Sequence, residues 1–166
     1  MLYLEAIIYF EQISDEKRDL KPLLKSLEKI NFFIEKYPNT EYAIDLKFKK
    51  DLIQNQLAAK EMYVAKHYIK TQKWIPAISR LKIILNNYDK TIFVEEALFR
   101  LVEIHYYLGL EVEAKKYAKI LGYNYNSSEW YESAYRIFNQ DYKLKKIKVK
   151  EEKKKNFLDK IIEIIN

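Results

Sequence analysis

Apolar residues along the chain recur mainly at steps of three and four, and short polar stretches interrupt them. The longest such run is 41–70, where Leu46, Ile53, Leu57, Val64 and Tyr68 step by seven and four. That spacing sets all five on one helical face, a core stripe. A helix of that length extends on the order of 45 Å at 1.5 Å per residue. The same pattern predicts helices near 2–13, 19–36, 74–87, 92–108, 111–121 and 128–142, with a tail helix near 144–165. The connection "ISDEKRDLKP" (13–22) is longer and sets Pro22 near a helix start.

The opening run "MLYLEAIIYFEQI" is apolar on nearly every side. A helix of that kind belongs inside a structure, whereas the first helix of a stacked array shows a polar outer face. The run is too short to span a bilayer. It also lacks the basic n-region and small-residue cleavage site of a signal peptide. The expectation is a fragment whose upstream part covers this helix.

The turns repeat. "KYPNTEYA" (36–43), "NYDKTIFVEEA" (87–97) and "YNSSEWYESA" (125–134) each set a tyrosine before polar residues and a helix start. Tyr37, Tyr88 and Tyr125 are 51 and 37 residues apart. Ser26, Ala77 and Ala114 each lie eleven residues before one of these tyrosines. A small residue there lets two helices approach closely. Pro38 stands where a helix-pair repeat of about 34 residues usually ends in proline, and Asp89 and Asn126 take that place later. Ala65 and Tyr68 fit the small and aromatic positions of a repeat's first helix. The predicted fold is therefore all-α, a tetratricopeptide-like (TPR-like) α-solenoid of about three helix pairs over 1–138. A basic C-terminal helix follows over 139–166. In "LGYNYNSSEWYESAY" (121–135), Leu121 is expected to end a helix and Gly122 to take the left-handed conformation that terminates it. Tyr123 and Tyr125 then close the turn. Asn126 caps the next helix, with Glu129 completing a capping box.

Composition supports a helical chain. Three prolines and two glycines in 166 residues suit helices joined by short turns, and 49% apolar residues suffice for a core. The net charge of +6 is uneven: 139–166 carries nine lysines against five acids, and 1–138 is nearly balanced. The run "KLKKIKVKEEKKK" (143–155) reads as a solvated face or as a patch for acidic partners, formed by Lys143, Lys145, Lys146, Lys148 and Lys150. Beyond it Phe157, Leu158, Ile161, Ile162 and Ile165 share one helical face. That stripe is expected to fold back on the last repeat, ahead of docking on a partner or lying on a membrane.

Catalytic chemistry is poorly provided for. The absence of cysteine removes disulfides, thiolate metal sites and cysteine nucleophiles. Two isolated glycines make no phosphate-cradling loop. His67 and His105 stand on separate helices without an HExxH motif and read as partly buried helix histidines. The pairs Glu95–Glu96 and Glu111–Glu113 fit first-turn positions, where the helix dipole favours acids. The expectation is no enzyme, no cofactor and no metal.

Two stretches carry a family resemblance. "LAAKEMYVAKHYIKTQKWIPAISRLKIILNNY" (57–88) and "EEALFRLVEIHYYLGLEVEAKKYAKILGYNYNSSEWYESAY" (95–135) resemble the BamD family, most nearly its α-proteobacterial version. These are TPR lipoproteins of the outer-membrane β-barrel assembly machinery. The likeness covers roughly 2–138, and "LGYNYNSSEWY" is its sharpest string. It implies a scaffold on the periplasmic face of the outer membrane. It implies binding to the membrane-proximal periplasmic domain of a BamA-like barrel protein, and to other lipoproteins of the complex. N-terminal repeats of the family receive the C-terminal signal of unfolded outer-membrane proteins. The family's lipoprotein signal, its lipidated cysteine, its first repeat and the opening helix of its second have no counterpart in this sequence.

Arg80 in "AISR" and Arg100 in "ALFRLVE" match motif positions and suit bidentate contact with a partner's carboxylates. Each also reads as a surface arginine bridging to Glu103 or a similar acid. Trp130 and Tyr131 fit exposed interface anchors, and Trp130 equally fits packing between the third pair and the next helix. Lys60 and Glu61 are expected on an exposed face. The alternatives are a basic helical protein binding RNA or DNA, against which the near-neutral body argues, and an intracellular TPR adaptor.

Overall fold

The structure, a computed structural model, describes residues 1–11 and 21–139. Among them run seven helices: α1 (Leu2–Glu11), α2 (Lys21–Lys36), α3 (Glu41–Lys70), α4 (Trp74–Asn87), α5 (Val94–Tyr107), α6 (Glu111–Asn124) and α7 (Glu129–Phe138). The described residues contain no strand. α1 packs with α2, α3 with α4 and α5 with α6, and α7 leans on α5 and α6. The pairs join through α2 with α3 and α4 with α5. Each pair touching only its neighbours is the solenoid arrangement that the repeat spacing predicts. The tail, with Lys143, Lys145, Lys146, Lys148 and Lys150, lies outside the described residues, as does most of "ISDEKRDLKP".

Small residues fall where the repeat requires them. Ser26, Ala77, Ala114 and Ala65 are fully buried. The Ser26 hydroxyl also donates to the Ala6 carbonyl at 3.1 Å, tying α2 to α1 at close range. The core forms two clusters. One gathers Ala6, Leu23, Ile30, Phe33, Leu46 and Ile53 from α1–α3. The other centres on Met62, Leu81, Ile84, Leu98, Leu101 and Leu121. Tyr88 packs against both. α1 buries only Ala6 completely and leaves Leu4 60% and Ile8 57% exposed.

Two kinds of turn alternate. Within a pair, the turn reverses through a left-handed residue. Gln72 has φ 56° and Gly109 φ 76°, and they are 37 residues apart. Around Gly109, the Leu110 amide donates to the His105 carbonyl at 2.8 Å and the Gly109 amide to Tyr106 at 3.0 Å. Around Gln72, the Lys73 amide donates to Tyr68 at 2.9 Å and the Gln72 amide to Ile69 at 3.0 Å. Both are Schellman motifs. Between pairs, the turn tyrosine is followed three residues later by a hydroxyl: Thr40, Thr91 or Ser128. The Thr40 and Thr91 hydroxyls donate back to the tyrosine carbonyl, at 3.0 and 2.8 Å. Thr40 and Ser128 cap α3 and α7 by accepting from the Ala43 and Tyr131 amides.

Several boundaries differ from expectation. α6 does not end at Leu121: it runs to Asn124, and Gly122 lies inside it. The left-handed glycine is Gly109. Gly122 is required by space, since a Cβ there would come 2.7 Å from the Tyr131 ring. Tyr125, not Tyr123, closes the helix, its amide donating to Leu121 at 2.8 Å. Ser128 caps α7 in place of Asn126, because its hydroxyl reaches the third amide of the turn. α7 stops at Phe138 rather than 142, as Asn139 leaves helical geometry at φ −130°, ψ 83°. His67 is exposed, whereas His105 is buried, with Nδ1 2.7 Å from the Leu101 carbonyl. His105 holds the place in its pair that Tyr68 holds one repeat earlier.

Candidate partner-binding face

The first helices of successive pairs, α3, α5 and α7, meet side chain to side chain. In a stacked array this row lines the concave surface. Glu96 of α5 is the hub. It is only 8% exposed, and its carboxylate receives Lys66 of α3 at 2.9 Å. Arg100, one turn along α5, donates to the same carboxylate through Nε at 3.3 Å and Nη2 at 3.2 Å. Its Nη1 reaches Glu103 at 2.6 Å. A carboxylate this buried needs partners, and two cations supply them.

The guanidinium of Arg100 also stands over aromatic rings. It lies 5.4 Å from the Phe99 ring centre and 5.6 Å from that of Trp130 on α7. Phe99 and Trp130 themselves are 5.3 Å apart. Charge and aromatic contact thus run continuously across three helices. Arg100 keeps part of its surface open to solvent, as do Lys66 and Glu103. The ladder offers a planar cation, a carboxylate and an indole edge side by side, a combination suited to a polar protein surface.

Of the residues singled out in the sequence, Arg100, Glu103 and Trp130 come together here. Arg80 does not. It joins α4 to α3 by donating to both oxygens of Glu61, at 3.4 and 3.1 Å. Glu61 is therefore mostly covered rather than on an open face. Tyr131 turns away from Trp130 and lies against Gly122 of α6. Trp130 is half-buried, so it packs between the third pair and α7. In the sequence Glu96 read only as a first-turn acid, and neither Lys66 nor Phe99 stood out. The four-residue step from Glu96 to Arg100 was the available signal for an ion pair.

Two further acids at the start of α6 are engaged on the surface. Glu111 and Glu113 pair with Lys115 and Lys116 at 3.4 and 2.6 Å. The hydrogen bond from Lys116 draws the Glu113 carboxyl below its usual range. Burial, with a smaller effect from Glu61, pushes the Tyr88 hydroxyl up. Among the described residues no group of three His, Asp or Glu side chains is placed to hold a metal ion. No described helix is long and apolar enough to cross a membrane.

A family model described as "Outer membrane lipoprotein" (YfiO) matches residues 1–121. This chain belongs to the YfiO/BamD family. The outer membrane protein assembly factor BamD of Caulobacter vibrioides is 42% identical over 139 residues, covering 84% of this chain and 46% of the relative. The same factor of Rickettsia prowazekii is 44% identical over 135 residues, covering 81% and 54%. That of Xylella fastidiosa is 27% identical over 114 residues, covering 69% and 39%. The chain thus spans about half the length of the first two relatives. The YfiO/BamD match takes in α1 to α5 and most of α6, including Lys66, Arg80, Glu96 and Arg100.

Proposed function

We propose that this chain is a scaffold subunit of outer-membrane β-barrel protein assembly, acting by binding and not by catalysis. The observation that carries the reading is the family match over 1–121, with relatives named outer membrane protein assembly factor BamD. The place of work is the periplasmic face of the outer membrane. The partner is the periplasmic domain of a BamA-like barrel protein, with other lipoproteins of the complex and unfolded outer-membrane proteins as further partners. Contact runs through the exposed parts of Arg100, Glu103 and Trp130, with Arg80 on the flank. Tyr131 supports α7 from behind.

Two largely covered acids are already held by cations. Glu96 is closed between Lys66 and Arg100, and Glu61 is held by Arg80. The nucleic-acid and intracellular-adaptor readings gain nothing from the family match. The test is co-purification of the full chain with the periplasmic region of the BamA-like protein from the same organism. Co-elution as one complex is expected, and separate elution in low salt overturns the proposal.

A further inference from the structure

The last helix exposes an apolar groove. It lies between α6 and α7 and has a volume of about 820 Å3. Ile120, Tyr123 and Phe138 line it, with Lys115 and Lys119 on its α6 side and Asn139 after the end of α7. Tyr123 is 89% exposed beside it. α1, α3 and α5 each pack against the helix that follows them. Among the described residues α7 has no following helix. Twenty-seven residues continue from Asn139.

We propose that residues 157–165 of this same chain occupy the groove and close the solenoid. At helical spacing Phe157, Leu158, Ile161, Ile162, Ile164 and Ile165 share an arc of roughly 160°. Asp159, Lys160 and Glu163 fall outside that arc, with Glu163 opposite its centre, so only the apolar side would meet the groove. Lengths agree as well. Nine helical residues extend about 13 Å, and the α6 wall from Lys115 to Asn124 extends about 15 Å. The seventeen residues between Asn139 and Phe157 reach up to ~55 Å when extended, ample for a reversal.

Hydrogen exchange on the full chain, read on peptides covering 157–165, tests the assignment. The expected result is exchange slowed about tenfold or more relative to a free peptide of that sequence. The protection should be independent of protein concentration and present without lipid. Ile120→Asp with Tyr123→Asp in the groove should remove it, and Ile161→Asp with Ile162→Asp in the tail should do the same, with exchange in α1 to α5 unchanged. The proposal is overturned by absent protection, by protection that grows with protein concentration as a second copy would require, by protection that needs anionic vesicles, or by indifference to these substitutions.

Discussion

Tyr88 shows how one side chain serves two parts of the fold. Its ring closes α4 and touches both core clusters. Burial, and secondarily Glu61, holds its hydroxyl above the ordinary value of 10.0. A raised pKa in the folded state means that stability is fully present below about pH 10 and is lost as pH rises through the folded value. Tyr88→Phe keeps the ring and removes the titration. Its melting temperature should therefore fall less steeply than that of the parent as the pH rises above about 10. Parallel melting curves in both proteins would remove Tyr88 from the account. Gly122 teaches a different lesson. Its rarity marked it in the sequence as a helix terminator, yet it lies inside α6 under the Tyr131 ring. Alanine would favour the helix by about 1 kcal/mol, and the forced shift of a packed ring costs about 1–3 kcal/mol. Gly122→Ala should thus lose about 1 kcal/mol net, measured by urea denaturation. The sequence lists the glycine but not the ring that comes to it from another helix.

Periodicity alone located α3 and α4 to the residue, because both helices end in turns with clear polar signals. Ends decided by a single hydrogen bond were less legible. Ser128 caps α7 where Asn126 was equally good in sequence, and only the backbone path separates them. The hydroxyls of Thr40, Thr91 and Ser128 were visible at a constant offset from their tyrosines, yet their joint meaning needs the turn geometry. The two intra-pair turns make a natural comparison. Gly109 and Gln72 hold the same left-handed position, and only glycine does so without strain. Gln72→Gly should raise stability by about 0.5–1 kcal/mol, and Gly109→Ala should lower it by a similar amount. Thermal melts of the two variants, shifted in opposite directions by roughly 2 °C, would bear this out. A drop in both would mean that the Gln72 side chain contributes something its backbone does not reveal.

At the scale of the molecule, the solenoid sets α3, α5 and α7 in one row and so brings distant residues into one ladder. Arg100 and Glu103 were readable as neighbours on a helix. Lys66, 30 residues before Glu96, and Trp130, 30 residues after Arg100, were not, since only stacking of the pairs unites them. Buried Glu96 fixes Arg100 from below, so in the proposed binding role the guanidinium would meet a partner already ordered and lose little freedom. The most direct measurement is a calorimetric titration of the full chain against the membrane-proximal periplasmic domain of the BamA-like protein. The account predicts a Kd of about 10 µM or tighter. It also predicts at least a tenfold loss in Arg100→Ala, with a helical circular dichroism spectrum matching the parent's. No binding at ~100 µM, or an Arg100→Ala variant that binds as tightly as the parent, would contradict it.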